Sequence, residues 1–302
     1  MTYVDHIVEV KEQETNVLAE LQTLFPSSSK TTLRRMLQAG RVIVDGEIVH
    51  SAKCNLTIGQ TLEVVSRERA PPPPAKTTAG GRKIDVVYED DDILVLDKPA
   101  GLLTVATDKM ESDTLHSRAQ SHVRRGTKRA WAHIVHRLDR KTSGLLVFGR
   151  YEEAKINLQT QFAERSAERI YHAIVEGRLE GEGTERCHLF EDQNHRVFKS
   201  KPEKEGSREA ITHWKALSHS SKYTLVQVRI ETGRRHQIRV QMSELGHPIL
   251  GDKEHGSSGN PINRLCLHAS RLKFKHPKTG EEVQCQSAIP SSFNRLVPIS
   301  IE

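Results

Sequence analysis

HRLDRKTSGLLVFGR, running from His136 to Arg150, places one carboxylate, Asp139, among Arg137, Arg140 and Lys141 and then passes through Gly144 into an apolar run. The LLVF segment reads as a buried strand, so the charged residues sit at the mouth of a rigid element, where sites commonly form. The neighbouring cations favour an ionised carboxyl, suited to a nucleophile or base, and a polyanion can share them. An aspartate that merely caps the turn before the strand is the competing reading.

Outward from this stretch, KIDVVYEDDDILVLDKPAG alternates into two strands, residues 85–88 and 93–97, and ends in a Lys98-Pro99-Ala100-Gly101 turn. Further strands are expected over 144–148, 170–175, 223–230 and 271–274, with helical pattern over 152–164 and 236–244. Strands and helices do not alternate strictly. This predicts an α+β fold, a mixed and largely antiparallel sheet with flanking helices.

The chain of 302 residues, 36% apolar and 28% charged, is long enough for a catalytic domain with a small accessory one. Its formal charge of +6 favours anionic partners only mildly. Cys54, Cys187, Cys266 and Cys285 are scattered without a CxxC pair, which argues against a zinc ribbon or a disulfide framework. No stretch has the make-up of a signal peptide or membrane span, so a cytoplasmic protein is expected.

SRERAPPPPAKTTAGGR, Ser66 to Arg82, has the composition of a solvated linker and divides the chain into 1–65, a linker at 66–84, and 85–302. In the first part, helical patterns cover 16–24 and 30–38. RVIVDGEIV then folds as a hairpin about Asp45-Gly46, and TLEVV closes the unit. LRRMLQAGRVIVDGEIV and the following IGQTLEV resemble the small α/β RNA-binding domain of ribosomal small-subunit protein four. The resemblance implies that Lys30, Arg34, Arg35 and Arg41 contact phosphates, which supply affinity without reading sequence.

KPAGLLT, HRLDRKTSGLLVF, RIYHAIVEG, ETGRRHQIRVQ, GHPILGD and LCLHA, in that order, resemble the RluA-type pseudouridine synthases across nearly all of residues 85–290. HRLDxxTSG with a later TGRxHQIR is the specific part. The resemblance implies isomerisation of uridine in RNA to pseudouridine without a cofactor. It assigns the reacting carboxylate to Asp139, either as nucleophile at the anomeric carbon or as base at the neighbouring ribose carbon. Arg234 is expected as its salt-bridge partner, and Tyr171 as the aromatic that holds the detached uracil and assists loss of the carbon-5 proton.

The family commonly has a lysine two residues before that tyrosine, and this chain has Arg169, which keeps the charge but cannot carry a proton. Base flipping calls for a wedge, and Arg137 is expected either to insert into the RNA or to contact phosphate. Arg140 belongs to the same cationic surround. Ile238 and Leu267 are expected as apolar walls, with His236 capping or bridging near Arg234.

No metal is expected, because His133, His136, His236, His247 and His268 lack HExxH-like spacing and stand among arginines. The partner implied is RNA, with structured ribosomal RNA fitting the N-terminal module better than tRNA; neither a membrane nor an obligate protein partner is indicated. A catalytically silent RNA-binding assembly factor is the alternative, although it would not need Asp139, Tyr171 and Arg234 together.

Overall fold

The computed structural model describes residues 4–10, 15–65, 84–107, 111–125 and 130–298, and the chain divides into two compact units, residues 1–82 and 83–302. The linker expected at 66–84 lies outside the described residues except for Ile84.

The smaller unit runs β1 (Val4–Glu9), β2 (Thr15–Asn16), α1 (Val17–Leu24), α2 (Lys30–Gln38), β3 (Val42–Val44), β4 (Glu47–Ile48), β5 (Asn55–Leu56) and β6 (Thr61–Val65). Both helices start at side-chain caps: Asn16 accepts from the Ala19 amide at 3.0 Å and Ser29 from the Thr32 amide at 3.2 Å. Asp45 and Gly46, with φ of 48° and 85°, make the tight turn between β3 and β4. The sheet order is β1-β6-β3-β4. Its apolar face packs on Leu21, Leu33 and Leu37 of the helices. Strand β1, which pairs with β6, is absent from the sequence reading.

The larger unit comprises β7 (Asp85–Glu89), β8 (Ile93–Lys98), α3 (Leu115–Val123), β9 (His133–Ile134), β10 (Ser143–Gly149), α4 (Glu152–Ala163), β11 (Glu168–Glu176), β12 (Glu182–Glu191), β13 (Val197–Ser200), β14 (Arg208–His219), β15 (Tyr223–Ile230), α5 (Gln237–Glu244), β16 (Leu267–Lys275) and β17 (Glu282–Gln286). One sheet holds all these strands, in the order β13-β12-β14-β15-β11-β16-β10-β8-β7, with β17 on β16 and β9 on β10. Every pairing is antiparallel except β10 with β16. The fold is therefore α+β with a mixed, largely antiparallel sheet.

Strand β10 reads as a continuous apolar run because both of its faces are covered. Leu146 and Phe148 join one core with Leu94 and Leu96, while Leu145 and Val147 join a second core with Val95 and with Leu158 of α4. Strands β12, β13 and β14 are missing from the sequence reading, since their many charged residues mask the alternation.

Where β10 begins, Gly144 has φ 111°, and a Cβ there would meet the Ala269 carbonyl oxygen at 2.2 Å. Only glycine lets β16 run this close beside the strand that follows Asp139.

Candidate active site

Asp139 lies on the loop before β10, its side chain 27% exposed. The loop is braced on both sides of it. The Thr104 hydroxyl donates to the Leu138 carbonyl at 2.8 Å and accepts from the Leu138 amide at 3.2 Å. After Asp139, the Arg140 carbonyl accepts from the Gly101 amide at 2.8 Å and from Lys98 Nζ at 3.1 Å.

Lys98 is buried, and its ammonium also donates to the carbonyls of Leu102 at 2.8 Å and Pro99 at 3.1 Å. Burial pulls its pKa down to about 7, against the opposing charge of Asp139. The KPAG turn and the aspartate loop thus form one hydrogen-bonded body.

The residue that meets Asp139 is Arg239, on α5. Its Nη1 stands 3.5 Å from Asp139 Oδ2, its Nε and Nη2 grip Asp252 at 2.6 and 2.7 Å, and Nη2 also donates to Glu254 at 2.8 Å. The Arg239 side chain is 4% exposed and that of Asp252 is fully buried. Burial opposes the charge on Arg239, but the bonds to Asp252, together with Asp139 and Glu254, outweigh it and hold its pKa above the ordinary arginine value.

Helix α5 is fixed by polar side chains. Gln237 donates to the Ile211 carbonyl at 3.0 Å, and Gln241 donates to the Ala210 carbonyl at 3.1 Å.

Arg234 does not fill the role expected of it. It lies where the chain approaches α5, and its Nε donates to the Glu209 carbonyl at 3.0 Å. His236, likewise, stands at the N-cap position of α5 without a side-chain cap bond, and its ring contacts are with Asp139, Glu254 and His255 rather than Arg234. It takes the left-handed conformation at the helix start, with φ 52°. There Nε2 lies 4.0 Å from Asp139 Oδ2 and Nδ1 lies 3.1 Å from His255 Nε2.

The sequence reading missed Arg239, Asp252, Glu254 and His255. One signal was available, because His236 and Arg239 are three apart at a helix start and so share a face. The other acids and His255 reach the site through tertiary structure alone.

Tyr171 projects from β11 and is buried in the core that also holds Ile238 and Leu267. Burial pushes its phenol up to about 12; Arg169 opposes this and Asp139 adds to it, so tyrosine and carboxylate are electrostatic neighbours. Arg169 is buried beside it, donating Nη2 to the Glu231 carbonyl at 2.7 Å with its guanidinium 5.0 Å from the Phe162 ring centroid. His136 is a packing residue: its Nε2 accepts from the Val147 amide at 3.2 Å and its ring stacks on Phe162 at 4.6 Å.

Arg137 is exposed next to Asp139. Arg140 is also exposed but spends Nε on the Gly101 carbonyl at 3.0 Å, so part of it braces the loop.

In the smaller unit Lys30 and Arg35 are exposed along α2 and Arg34 is half-buried. Arg41 turns its Nε onto the Val65 carbonyl at 2.8 Å, which ties it to the sheet.

A protein-family model described as RNA pseudouridylate synthase matches residues 92–244. The ribosomal large subunit pseudouridine synthase D of Neisseria meningitidis serogroup A is 32% identical over 293 residues, spanning 93% of this chain and 77% of that protein. The chain belongs to the RNA pseudouridylate synthase family. It is an RNA pseudouridine synthase, an isomerase. The Pseudomonas aeruginosa protein of the same name is 33% identical, covering 91% of this chain and 89% of its own length. Among solved structures, human RNA pseudouridylate synthase domain containing 4 superposes with a TM-score of 0.58 at 21% identity, over 69% of this chain and 90% of that one. That likeness shows the fold of the synthase. No helix among its described residues is long and apolar enough to cross a membrane.

Proposed function

We propose that this synthase acts on uridines of structured ribosomal RNA, with Asp139 as the reacting carboxylate and without a cofactor. The observation that carries the reading is the Asp139–Arg239 pair. A partly exposed carboxylate is aimed by a guanidinium that is itself locked to a buried acid. Such a pair keeps the carboxylate oriented when RNA displaces water, and orientation is its main contribution.

The reaction breaks the bond between uracil nitrogen and the ribose anomeric carbon, turns the base, joins carbon 5 to the sugar and loses the carbon-5 proton, while the freed ring nitrogen takes up a proton so that the product is an isomer. Asp139 serves either by attacking the anomeric carbon or by taking the neighbouring ribose proton. Tyr171 presents an aromatic face and a phenol whose raised pKa keeps it protonated. Neither step consumes a redox equivalent, so no redox cofactor is called for.

Arg137, exposed beside Asp139, suits insertion into the space of the flipped base or a phosphate contact. Ribosomal RNA as the substrate is supported by the names of the two bacterial relatives. In the N-terminal unit, Lys30, Arg34 and Arg35 along α2 would hold phosphates, and the cytoplasm is the compartment this reading implies.

The test is to incubate purified protein with unmodified ribosomal RNA and with tRNA, then map pseudouridines. New sites in ribosomal RNA are expected. Sites only in tRNA would overturn the substrate, and none in either would favour a binding-only assembly factor. Asp139→Asn should abolish modification and leave RNA affinity nearly unchanged; an active variant would refute the role given to Asp139.

A further inference from the structure

The loop after Asp252 brings two side chains to a point beside His236 that isomerisation does not use. His236 Nδ1 lies 3.1 Å from His255 Nε2 and 3.6 Å from Glu254 Oε1, and the three donor atoms fall within 4.8 Å of one another. Nitrogen and oxygen donors at about 2.0–2.1 Å from zinc stand roughly 3.3 Å apart along the edges of a tetrahedron. Two of the three separations bracket that edge, and the third stays within 4.8 Å. We propose that His236, Glu254 and His255 bind one divalent transition-metal ion of the zinc class, leaving one coordination position open, and that its occupancy inhibits the enzyme.

The surroundings fit a dication. Three carboxylates, Asp139, Asp252 and Glu254, gather at the guanidinium of Arg239, and Glu254 keeps its second oxygen turned to His236. Arg239 Nη2 holds Glu254 by Oε2 at 2.8 Å while Oε1 faces His236, which orients the carboxylate as an outer-shell partner would. With a metal on Nδ1, the proton of His236 must sit on Nε2, which lies 4.0 Å from Asp139 Oδ2, a charge contact rather than a hydrogen bond.

The loop is held in place where Glu176 Oε1 accepts from Ser257 Oγ at 2.6 Å and from the Ser258 amide at 2.8 Å. Glu254 is exposed, which opens the site to solvent.

A second histidine-carboxylate cluster among the described residues, Asp90, Asp92 and His276, is different. There His276 Nδ1 accepts from the Lys278 and Thr279 amides, leaving Nε2–H to donate to Asp90 at 3.0 Å. That ring has no lone pair to offer.

Inhibition follows from charge. The hydrogen bond between the two rings gives way to two metal–nitrogen bonds as the donor ring shifts its proton to its other nitrogen. The dication then adds positive charge beside Asp139, whose Oδ2 lies 4.0 Å from His236 Nε2, and weakens it as nucleophile or base. This half of the inference rests on the role given to Asp139 above, whereas metal binding does not.

The experiment uses tag-free, chelator-stripped full-length protein titrated with Co²⁺ and followed by its visible d–d absorption, then back-titrated with Zn²⁺. One equivalent of tetrahedral-type Co²⁺, displaced by Zn²⁺, is expected. His255→Ala should weaken Zn²⁺ binding by more than about 100-fold, beyond the loss of an outer-shell partner. Glu254→Gln, nearly isosteric, guards against misfolding and should weaken binding in the same direction. Absence of the band, or the same Zn²⁺ affinity in both variants, overturns the site. Zn²⁺ should slow pseudouridine formation by the wild type, with His255→Ala losing that sensitivity; a metal-loaded wild type working at full rate overturns the inhibition.

Discussion

Arg239 meets Asp139 with one edge of its guanidinium and grips Asp252 with the other, so the carboxylate on the loop before β10 is aimed by a helix one hundred residues further along the chain. A lysine would keep the charge and lose the fork that spans both acids. Arg239→Lys should therefore lower kcat by roughly 100-fold, the cost of a misplacement of about 1 Å. Arg234→Lys, altering a residue bonded to the Glu209 carbonyl, should cost far less. Equal losses in a single-turnover assay would contradict the assignment.

Asp252 supplies a pH test. Its burial would raise the carboxyl pKa, but the hydrogen bonds and charge of Arg239 prevail and hold it below the ordinary aspartate value. A carboxylate with a depressed folded-state pKa adds stability that is fully present above its unfolded pKa and is lost as pH falls through the folded one. At pH 7, Asp252→Asn should be destabilised by about 3 kcal/mol. In urea melts the gap to wild type should narrow as pH drops below about 4.

Lys98 bridges the KPAG turn and the aspartate loop. Lys98→Met leaves the Pro99 and Leu102 carbonyls without its bonds, while the Arg140 carbonyl keeps the Gly101 amide. The expected loss is about 3 kcal/mol. Burial lowers the folded pKa of Lys98 to about 7, so between there and its unfolded value the unfolded chain binds more protons. The stability advantage of wild type over the variant should consequently grow from pH 7 towards pH 10.

Gly144→Ala forces a Cβ into the backbone of β16 and a side-chain residue into φ 111°. A loss of more than about 4 kcal/mol is expected, enough to deplete soluble protein. A variant with wild-type melting behaviour would mean that β10 and β16 are not packed in this way.

For the small unit, replacing Lys30 and Arg35 together with alanine should weaken RNA binding. It should also make the logarithmic salt dependence shallower by roughly 1 to 2. Affinity measured across a salt series separates this from simple unfolding, because loss of a phosphate contact changes the slope as well as the intercept.

Much of the fold was legible where periodicity was strong. The apolar run at 145–148, the alternation of 223–230 and the Asp45-Gly46 turn all encode their elements locally, and each is found where it was expected. Strands β12 to β14 were not legible, because charged residues on the solvent side and glycine at 183 interrupt their pattern. The site was legible to the extent that Asp139, Tyr171 and His236 fall in distinctive segments. The partner of Asp139 was assigned five residues too early, since neither spacing nor composition tells which arginine of RRHQIR points inward.

By itself the sequence determined the two-part organisation, the α+β class and the family, because these follow from local periodicity, turn chemistry and motif order. The tertiary structure alone decided which charges meet. His236 enters the left-handed region at the start of α5, the helix carries Arg239 to Asp139 while Arg234, ahead of it, bonds to the Glu209 carbonyl, and the loop at 252–255 returns two acids and a second histidine to the same point. Pairing of that kind depends on the angles at which distant elements cross, information that no single segment of the chain contains.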